Sequence, residues 1–404
     1  MKKILSFYFY LFIFTSFLTA QPKPYVLLIS FDGFRWDYAN RGITPNLDKM
    51  KQNGVSASSL QPAFPSKTFP NHYSIITGMY IDHHGIIANH FINPFTDEVY
   101  KLRDTNAVRN SKWYLGEPFW TTAERQGIIS ASYFWPGSEQ RLSYRHPTYF
   151  ERYDHHRPHK TSVNGVINWL QLPQNVRPHF ITLYFHDTDD NGHKYGPNSQ
   201  QVNSAISSLD SVIGYLNKKL TEIKMKDSVD IILVSDHGMT EISPKKVINI
   251  EKILKGFNYK IEGEKPFLLI KPRGYQIDSV YNVLKKHENH YKVYKRAEMP
   301  DYFHYSENPF IFPIIVVADL GWSLVTNSSL KKFINQNSKG NHGYDNHQLD
   351  MHGVFIATGP HFKKNYRTGT VWNIDIYPLL CKIFNIIPRS NIDGKLDRIG
   401  FILK

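Results

Sequence analysis

Cysteine is nearly absent from this chain: Cys381 is the only one in 404 residues. A single thiol cannot close an intrachain bridge, so no disulfide framework holds the fold and stability must come from a packed core. Cys381 lies in the apolar run 377–384 and reads as a buried thiol rather than a reactive one. Beyond the N-terminus, no apolar run approaches the ~20 residues that a membrane-spanning helix needs. Internal repeats and low-complexity linkers are missing, which excludes repeat architectures. Acidic residues are in the minority, 35 against 48 Lys and Arg, for a formal net charge of +13. Such a balance favours anionic substrates or surfaces. The basic residues are dispersed, except at Lys285-Lys286 and around 292–296, and no nucleic-acid-binding motif accompanies them. A stable nucleic acid partner is therefore not expected.

What is present describes an ordinary globular protein: 41% hydrophobic and 21% charged residues. The length suits one large domain, with room for an inserted subdomain. Lys2 and Lys3 precede an apolar stretch over 4–18, closed by Leu18-Thr19-Ala20. This is the pattern of a secretory signal, residues 1–20, cut after Ala20; the competing reading is an uncleaved membrane anchor, against which the run is shorter than the ~20 residues a span needs. The expected mature chain, 21–404, then has no transmembrane anchor and is exported, to a bacterial periplasm or to the cell surface or extracellular space.

Three short apolar runs, at 26–29, 180–185 and 231–234, each lead into an aspartate: Asp32, Asp189 and Asp236. Runs of this kind predict buried strands of a parallel sheet. Helices are predicted from Thr44-Pro45-Asn46-Leu47 through Met50, from Phe69 to Thr77 with Gly78 as the stop, and over 197–220. In the last, Val202, Ile206, Leu209, Ile213, Leu216 and Leu220 repeat at spacings of three and four. Strands alternating with helices imply a parallel sheet covered on both faces. Asp189 and His193 fall in the strand-to-helix loop before that long helix. From about 247 to 330 the texture changes to short strands at 267–270 and 314–317 around a helix at 279–286, which predicts a small inserted α+β subdomain. A further strand is expected at 354–357.

Functional groups in open α/β sheets gather beyond the carboxyl ends of the strands. Asp32, Asp189 and Asp236, with His193 and His237 close behind in sequence, would converge there, and buried charge of that density calls for a cation. Thr68 stands at the start of a predicted helix, where amide donors favour negative charge. Its hydroxyl is a capping group on the plain reading, and a nucleophile if a metal lies beside it.

Six motifs carry a resemblance: Ser30-Phe31-Asp32-Gly33-Phe34-Arg35, Lys67-Thr68-Phe69-Pro70-Asn71-His72, His84-Gly85-Ile86-Ile87-Ala88-Asn89, Asp189-Asp190-Asn191-Gly192-His193, Ser235-Asp236-His237-Gly238-Met239 and His342-Gly343-Tyr344-Asp345-Asn346. In these and their order the chain resembles the nucleotide pyrophosphatase/phosphodiesterase family of the alkaline phosphatase superfamily. The resemblance implies an alkaline phosphatase-like α/β/α sandwich and two zinc ions per subunit. Asp32, Thr68, Asp236 and His237 would hold one ion, and Asp189, His193 and His342 the other, with positions left open for substrate. It implies attack by Thr68 on phosphorus, a phospho-threonine intermediate, and its hydrolysis by water activated at the second zinc. Asn89 would donate to a phosphoryl oxygen together with the Thr68 amide. Phe69 and Tyr184 resemble an aromatic pair that sandwiches a nucleobase, with Trp135 as a further wall.

The implied activity is hydrolysis of a small-molecule nucleotide ester or pyrophosphate to a nucleoside monophosphate. Phosphomonoester hydrolysis and cleavage of lipid-headgroup diesters use the same metals and stay open, as does a non-catalytic exported metal-binding protein. A sulfatase is disfavoured, since the nucleophile position is Thr68 with no cysteine to modify. Asp187 and Asp190 are expected to face solvent or support the site. His352 is set aside in favour of His342, and His155, His156 and His159 read as a surface loop. His72, His83 and His84 are expected to orient ligands or cap helices.

Overall fold

The computed structural model describes residues 23–404, so the expected signal segment lies outside the described residues. Eight strands form the central sheet: β1 (Tyr25–Phe31), β2 (Gly54–Ala57), β3 (Ser130–Tyr133), β4 (Tyr149–Glu151), β5 (Phe180–Phe185), β6 (Val229–Val234), β7 (Phe355–Thr358) and β8 (Tyr366–Thr368). Their order across the sheet is β8-β2-β7-β6-β1-β5-β3-β4. β1 runs parallel to both neighbours, and only β7 is antiparallel.

Side chains along β1 alternate between two cores, Val26 and Leu28 on one face, Leu27, Ile29 and Phe31 on the other. A strand buried on both faces needs an unbroken apolar run, which is why no polar residue interrupts 26–29. One face is covered by α2 (Thr68–Thr77) and α6 (Ile376–Phe384). The other is covered by α1 (Pro45–Gln52), α3 (His159–Leu170) and α5 (Gln200–Glu222). The result is the expected α/β/α sandwich. On α5 all six of the periodic residues are fully buried, each stabilising the fold by ~1.5–3 kcal/mol. The helix begins at Gln200 rather than Pro197 because the Ser199 hydroxyl accepts from the Val202 N–H and caps it. Cys381 is buried on α6, and burial pushes its thiol up to about 12.

Between β6 and β7 lies a second, antiparallel sheet with strands in the order Tyr259–Glu264, Phe267–Pro272, Ile314–Ala318, Tyr291–Lys295. A helix, Ile277–Lys286, packs Val280 and Leu284 into a core shared with Leu268, Ile270, Val293 and Val316. Among the described residues no helix is long and apolar enough to cross a membrane.

Candidate active site

Three adjacent parallel strands, β5, β1 and β6, deliver the three aspartates. Asp32 follows β1 directly, Asp236 is the second residue after β6, and Asp189 follows β5 by four. The register, Phe31 opposite Phe185 and Ser30 opposite Val234, sets their carboxyl ends level. Gly33 makes the turn after Asp32 with φ +64, and a Cβ there would lie 2.9 Å from the Asp189 Cα. Only glycine lets the two aspartate segments approach so closely.

Asp189 and His193 do not lie in a loop as expected. Both belong to a separate helix, α4 (Asp187–Tyr195). Their spacing of four residues puts both side chains on one helical face, and the His193 Nε2 stands 3.4 Å from Asp189 Oδ1. Three acids in the first turn and His193 with Lys194 in the last suit the helix dipole.

The imidazoles are pre-set for coordination. Each Nδ1 of His193, His237 and His342 meets a backbone carbonyl: Gly340 at 2.9 Å, Gly238 at 2.8 Å and Ser66 at 2.8 Å. A carbonyl can only accept, so each Nδ1 carries the proton and each Nε2 presents a lone pair inward. The His237 Nε2 is 3.0 Å from Asp236 Oδ2 and 3.4 Å from Asp32 Oδ1, and the His342 Nε2 is 3.6 Å from Asp189 Oδ1. The His237 and His342 rings stack at 3.5 Å. Asp32 Oδ1, Asp189 Oδ1 and Asp236 Oδ2 are buried without a hydrogen-bond partner, an arrangement that costs ~1–3 kcal/mol or more per atom unless something fills it. Two overlapping groups could hold a metal ion, Asp32 with Asp236 and His237, and Asp189 with His237 and His342; His237 stands between them.

The electrostatics of the buried carboxylates suit a cation. Burial, then the charges of Asp236 and Asp189, hold the Asp32 carboxyl well above its ordinary range. Burial would raise Asp236 too, but His237 and His72 outweigh it and hold that carboxyl low. Burial, then His237 and Lys67, keep His342 well below the usual imidazole range, hence neutral.

Thr68 is the first residue of α2, with Lys67 as its cap, so its hydroxyl is not spent on capping. Its Oγ1 lies 3.3 Å from the His237 Nε2. At this helix end Pro70 has no N–H, and the Phe69 N–H donates to Asn89 Oδ1 at 3.0 Å. That leaves the Thr68 amide as the first-turn donor without an intrahelical partner. Because Asn89 Oδ1 is taken, its NH₂ group is the end available to donate, the polarity expected of it. Phe69 is half-buried, edge-on to Tyr100 at 6.4 Å.

Two expected pocket walls are placed otherwise. The Tyr184 hydroxyl donates to Asp32 Oδ2 at 2.5 Å, and its ring sits edge-on to His72. Trp135 is 1% exposed and its indole N–H donates to the His72 carbonyl, so it supports His72 and offers no free face. The exposed aromatic on that side is Tyr153, 46% exposed with its ring 6.0 Å from Tyr184. Tyr153 sits in an irregular segment with no motif, so the sequence carries no signal for it. His72 bonds Ser30 Oγ at 2.8 Å and the Thr68 carbonyl at 2.9 Å, and its Nδ1 also lies 3.3 Å from Asp236 Oδ2, which brings nucleophile and ligand segments together. His84 bonds Ser74, and His83 bonds Asp393. Both ring nitrogens of His352 are used elsewhere, by Ser59 and the Asn346 carbonyl. His156 bonds through its backbone to Asp154. Asp187 pairs with His159 at 2.8 Å, and Asp190 faces His155 and His186.

Known proteins share this arrangement of sequence and fold. A family model described as type I phosphodiesterase/nucleotide pyrophosphatase matches residues 26–345. Human ectonucleotide pyrophosphatase/phosphodiesterase family member 5 is 35% identical over 372 residues, 92% of this chain and 76% of that one. The Xenopus laevis bis(5'-adenosyl)-triphosphatase is 36% identical over 387 residues, 95% and 83% of the two chains. The structure of murine ectonucleotide pyrophosphatase/phosphodiesterase 5, as an inactive threonine-to-alanine variant in complex with AMP, superposes with a TM-score of 0.88 at 34% identity, covering 95% of this chain and all (100%) of that one. The chain belongs to the type I phosphodiesterase/nucleotide pyrophosphatase family and is a phosphoric diester hydrolase.

Proposed function

We propose that this exported enzyme cleaves nucleotide phosphodiester or pyrophosphate bonds to release a nucleoside monophosphate, with Thr68 as nucleophile and two zinc ions as cofactor. The observation that carries the proposal is the set of three inward Nε2 lone pairs and three carboxylate oxygens without a hydrogen bond, with the Thr68 hydroxyl 3.3 Å from the His237 Nε2. That donor set is nitrogen and oxygen only, which suits zinc. Asp32, Asp236, His237 and Thr68 would hold one ion, and Asp189, His193 and His342 the other. Zinc there supplies charge neutralisation and lowers the pKa of a hydroxyl or water brought to it.

The chain's own groups do the rest. Thr68 Oγ1 gives up its proton to solvent and attacks phosphorus in line with the leaving oxygen, whose bond to phosphorus breaks as it takes up a proton; water then attacks the same phosphorus, the Oγ1–phosphorus bond breaks, and the nucleoside monophosphate leaves as Oγ1 regains a proton. The Thr68 N–H and the Asn89 NH₂ group donate to the non-bridging oxygen, whose charge grows in the transition state. His72 holds the Thr68 carbonyl and Asp236 in register. Base stacking falls on Phe69 and on Tyr153 in place of Tyr184. The AMP complex of the murine relative supports a nucleotide as the ligand. Export finds support in relatives such as the venom phosphodiesterase of Naja atra.

The test is Thr68→Ala. It should retain bound zinc yet lose hydrolysis of the nitrophenyl ester of thymidine monophosphate. Full activity in that variant would remove the nucleophile, and faster wild-type turnover of nitrophenyl phosphate or nitrophenyl phosphorylcholine would redirect the substrate assignment.

A further inference from the structure

Outside the catalytic cluster, a second group of imidazoles meets a carboxylate on the far side of α4. His155 comes from the segment between β4 and α3, His186 is the cap residue before α4, and Asp190 lies in its first turn. The His155 Nε2 is 3.3 Å from Asp190 Oδ2, and the His186 Nε2 is 3.6 Å from the same oxygen. All three ligand atoms fall within 4.8 Å of one another.

The catalytic cluster provides an internal yardstick. There the His193 and His342 Nε2 atoms stand 3.4 and 3.6 Å from Asp189 Oδ1, nearly the same pair of spacings. Ligand atoms bonded at ~2.0–2.1 Å to one tetrahedral ion lie about 3.3–3.4 Å apart, so neither set needs more than a small closure to accept one. The orientation is also that of ligands. The His155 Nδ1 lies 2.9 Å from the Tyr153 hydroxyl oxygen, which can accept its N–H and so leave the Nε2 lone pair facing Asp190. The His155 and His186 rings stack at 3.9 Å with 27° between planes, which carries both Nε2 atoms to one side. Of the other two acids of this turn, Asp189 faces His193 and His342, and Asp187 is taken by His159 at 2.8 Å. Asp190 is thus the carboxylate left for the pair.

We propose that His155, His186 and Asp190 form a third, peripheral site for a divalent transition cation of the zinc class. Two imidazoles and one carboxylate leave the remaining positions to water, and side-chain exposures of 45%, 20% and 51% keep the site open to solvent. An ion bound there clamps the start of α4, one residue from Asp189, to the segment carrying Tyr153. Its affinity is lower than that of the buried cluster, because exposed ligands stay mobile and solvated.

The experiment uses the full chain stripped of metal and dialysed against buffered free zinc at rising concentration, with bound zinc counted by elemental analysis. Wild type should bind one ion more per chain than His155→Ala, and Asp190→Asn should show the same deficit of one. Cobalt substitution gives a second readout, in which both variants lose one ligand-field component. Equal zinc counts in wild type and both variants would overturn the site. So would a deficit of two or more, because the residues would then be supporting the catalytic cluster. The readout is a difference between proteins, so it stands apart from whether Thr68 and its neighbours act as proposed.

Discussion

Replacing Tyr184 by phenylalanine removes one oxygen and keeps the ring. The lost hydroxyl donates at 2.5 Å to Asp32 Oδ2, while Asp32 Oδ1 stays unpartnered beside His237. Tyr184 therefore fixes which carboxylate oxygen faces the metal position. A buried hydrogen bond to a charged acceptor contributes ~1.5–3 kcal/mol, and at ~1.4 kcal/mol per decade that is about 10–150-fold in zinc affinity. Similar losses, ~10–100-fold, follow removal of groups that orient metal ligands. The effect should depend on pH in one direction. Burial and the neighbouring acids raise the Asp32 pKa, and the Tyr184 hydrogen bond opposes them. Without it the pKa rises further, a proton competes better with the ion, and the affinity gap between variant and wild type widens as pH falls. Zinc competition against a chromophoric chelator across pH 6 to 8, with nucleotide KM measured at saturating zinc, separates this from stacking. Unchanged zinc affinity in Tyr184→Phe, together with a raised KM in Tyr184→Ala, would refute the argument and return Tyr184 to the base pocket.

Asn89→Ala should lower kcat by ~10²-fold with little change in zinc content, and Asn89→Asp, which keeps the acceptor for the Phe69 N–H, should be no better; a near-normal rate in either, read from single-turnover kinetics, makes the amide structural. Gly33→Ala drives a Cβ toward the Asp189 backbone, whereas Gly42→Ala has φ +74 but meets nothing within 4 Å. Both pay the left-handed backbone cost of ~1–2 kcal/mol, and only the first should also lose zinc; equal zinc content in the two would contradict the close approach. The hydrogen bond to Asp393 raises the His83 pKa from 6.5 to about 9, against burial. A folded-state pKa raised in this way stabilises the protein fully below about 6.5, and the contribution fades as pH rises through about 9. The Tm gap between wild type and His83→Gln should accordingly close between pH 6 and pH 10, and a gap independent of pH would show that the pair carries no charge.

The aspartates were legible because each ends an apolar run, and a run that is buried on both faces in a parallel sheet leaves its polar residue at the carboxyl edge. α5 was legible because one face of it is a continuous apolar row. α4 was not: Asp187-Thr188-Asp189-Asp190-Asn191-Gly192-His193-Lys194-Tyr195 has no apolar period to detect. That helix rests on tertiary contact, as at Gly192, where an added Cβ would lie 3.0 Å from the Met239 side chain. The cost of missing it was specific, since a loop gives no reason for Asp189 and Asp190 to point apart. A helix turns successive residues by ~100°, so Asp189 faces His193 and His342 while Asp190 faces His155 and His186. Two neighbouring carboxylates thereby serve two different clusters. The same physics explains Tyr184. Alternation along β5 marks which face a side chain takes but not where a hydroxyl at its tip ends, and that depends on Asp32 lying beside it on the adjacent strand. Residues whose role is set by their own element can be found in sequence, while those whose role is set by a neighbouring strand or by helical rotation emerge only once the sheet order is known.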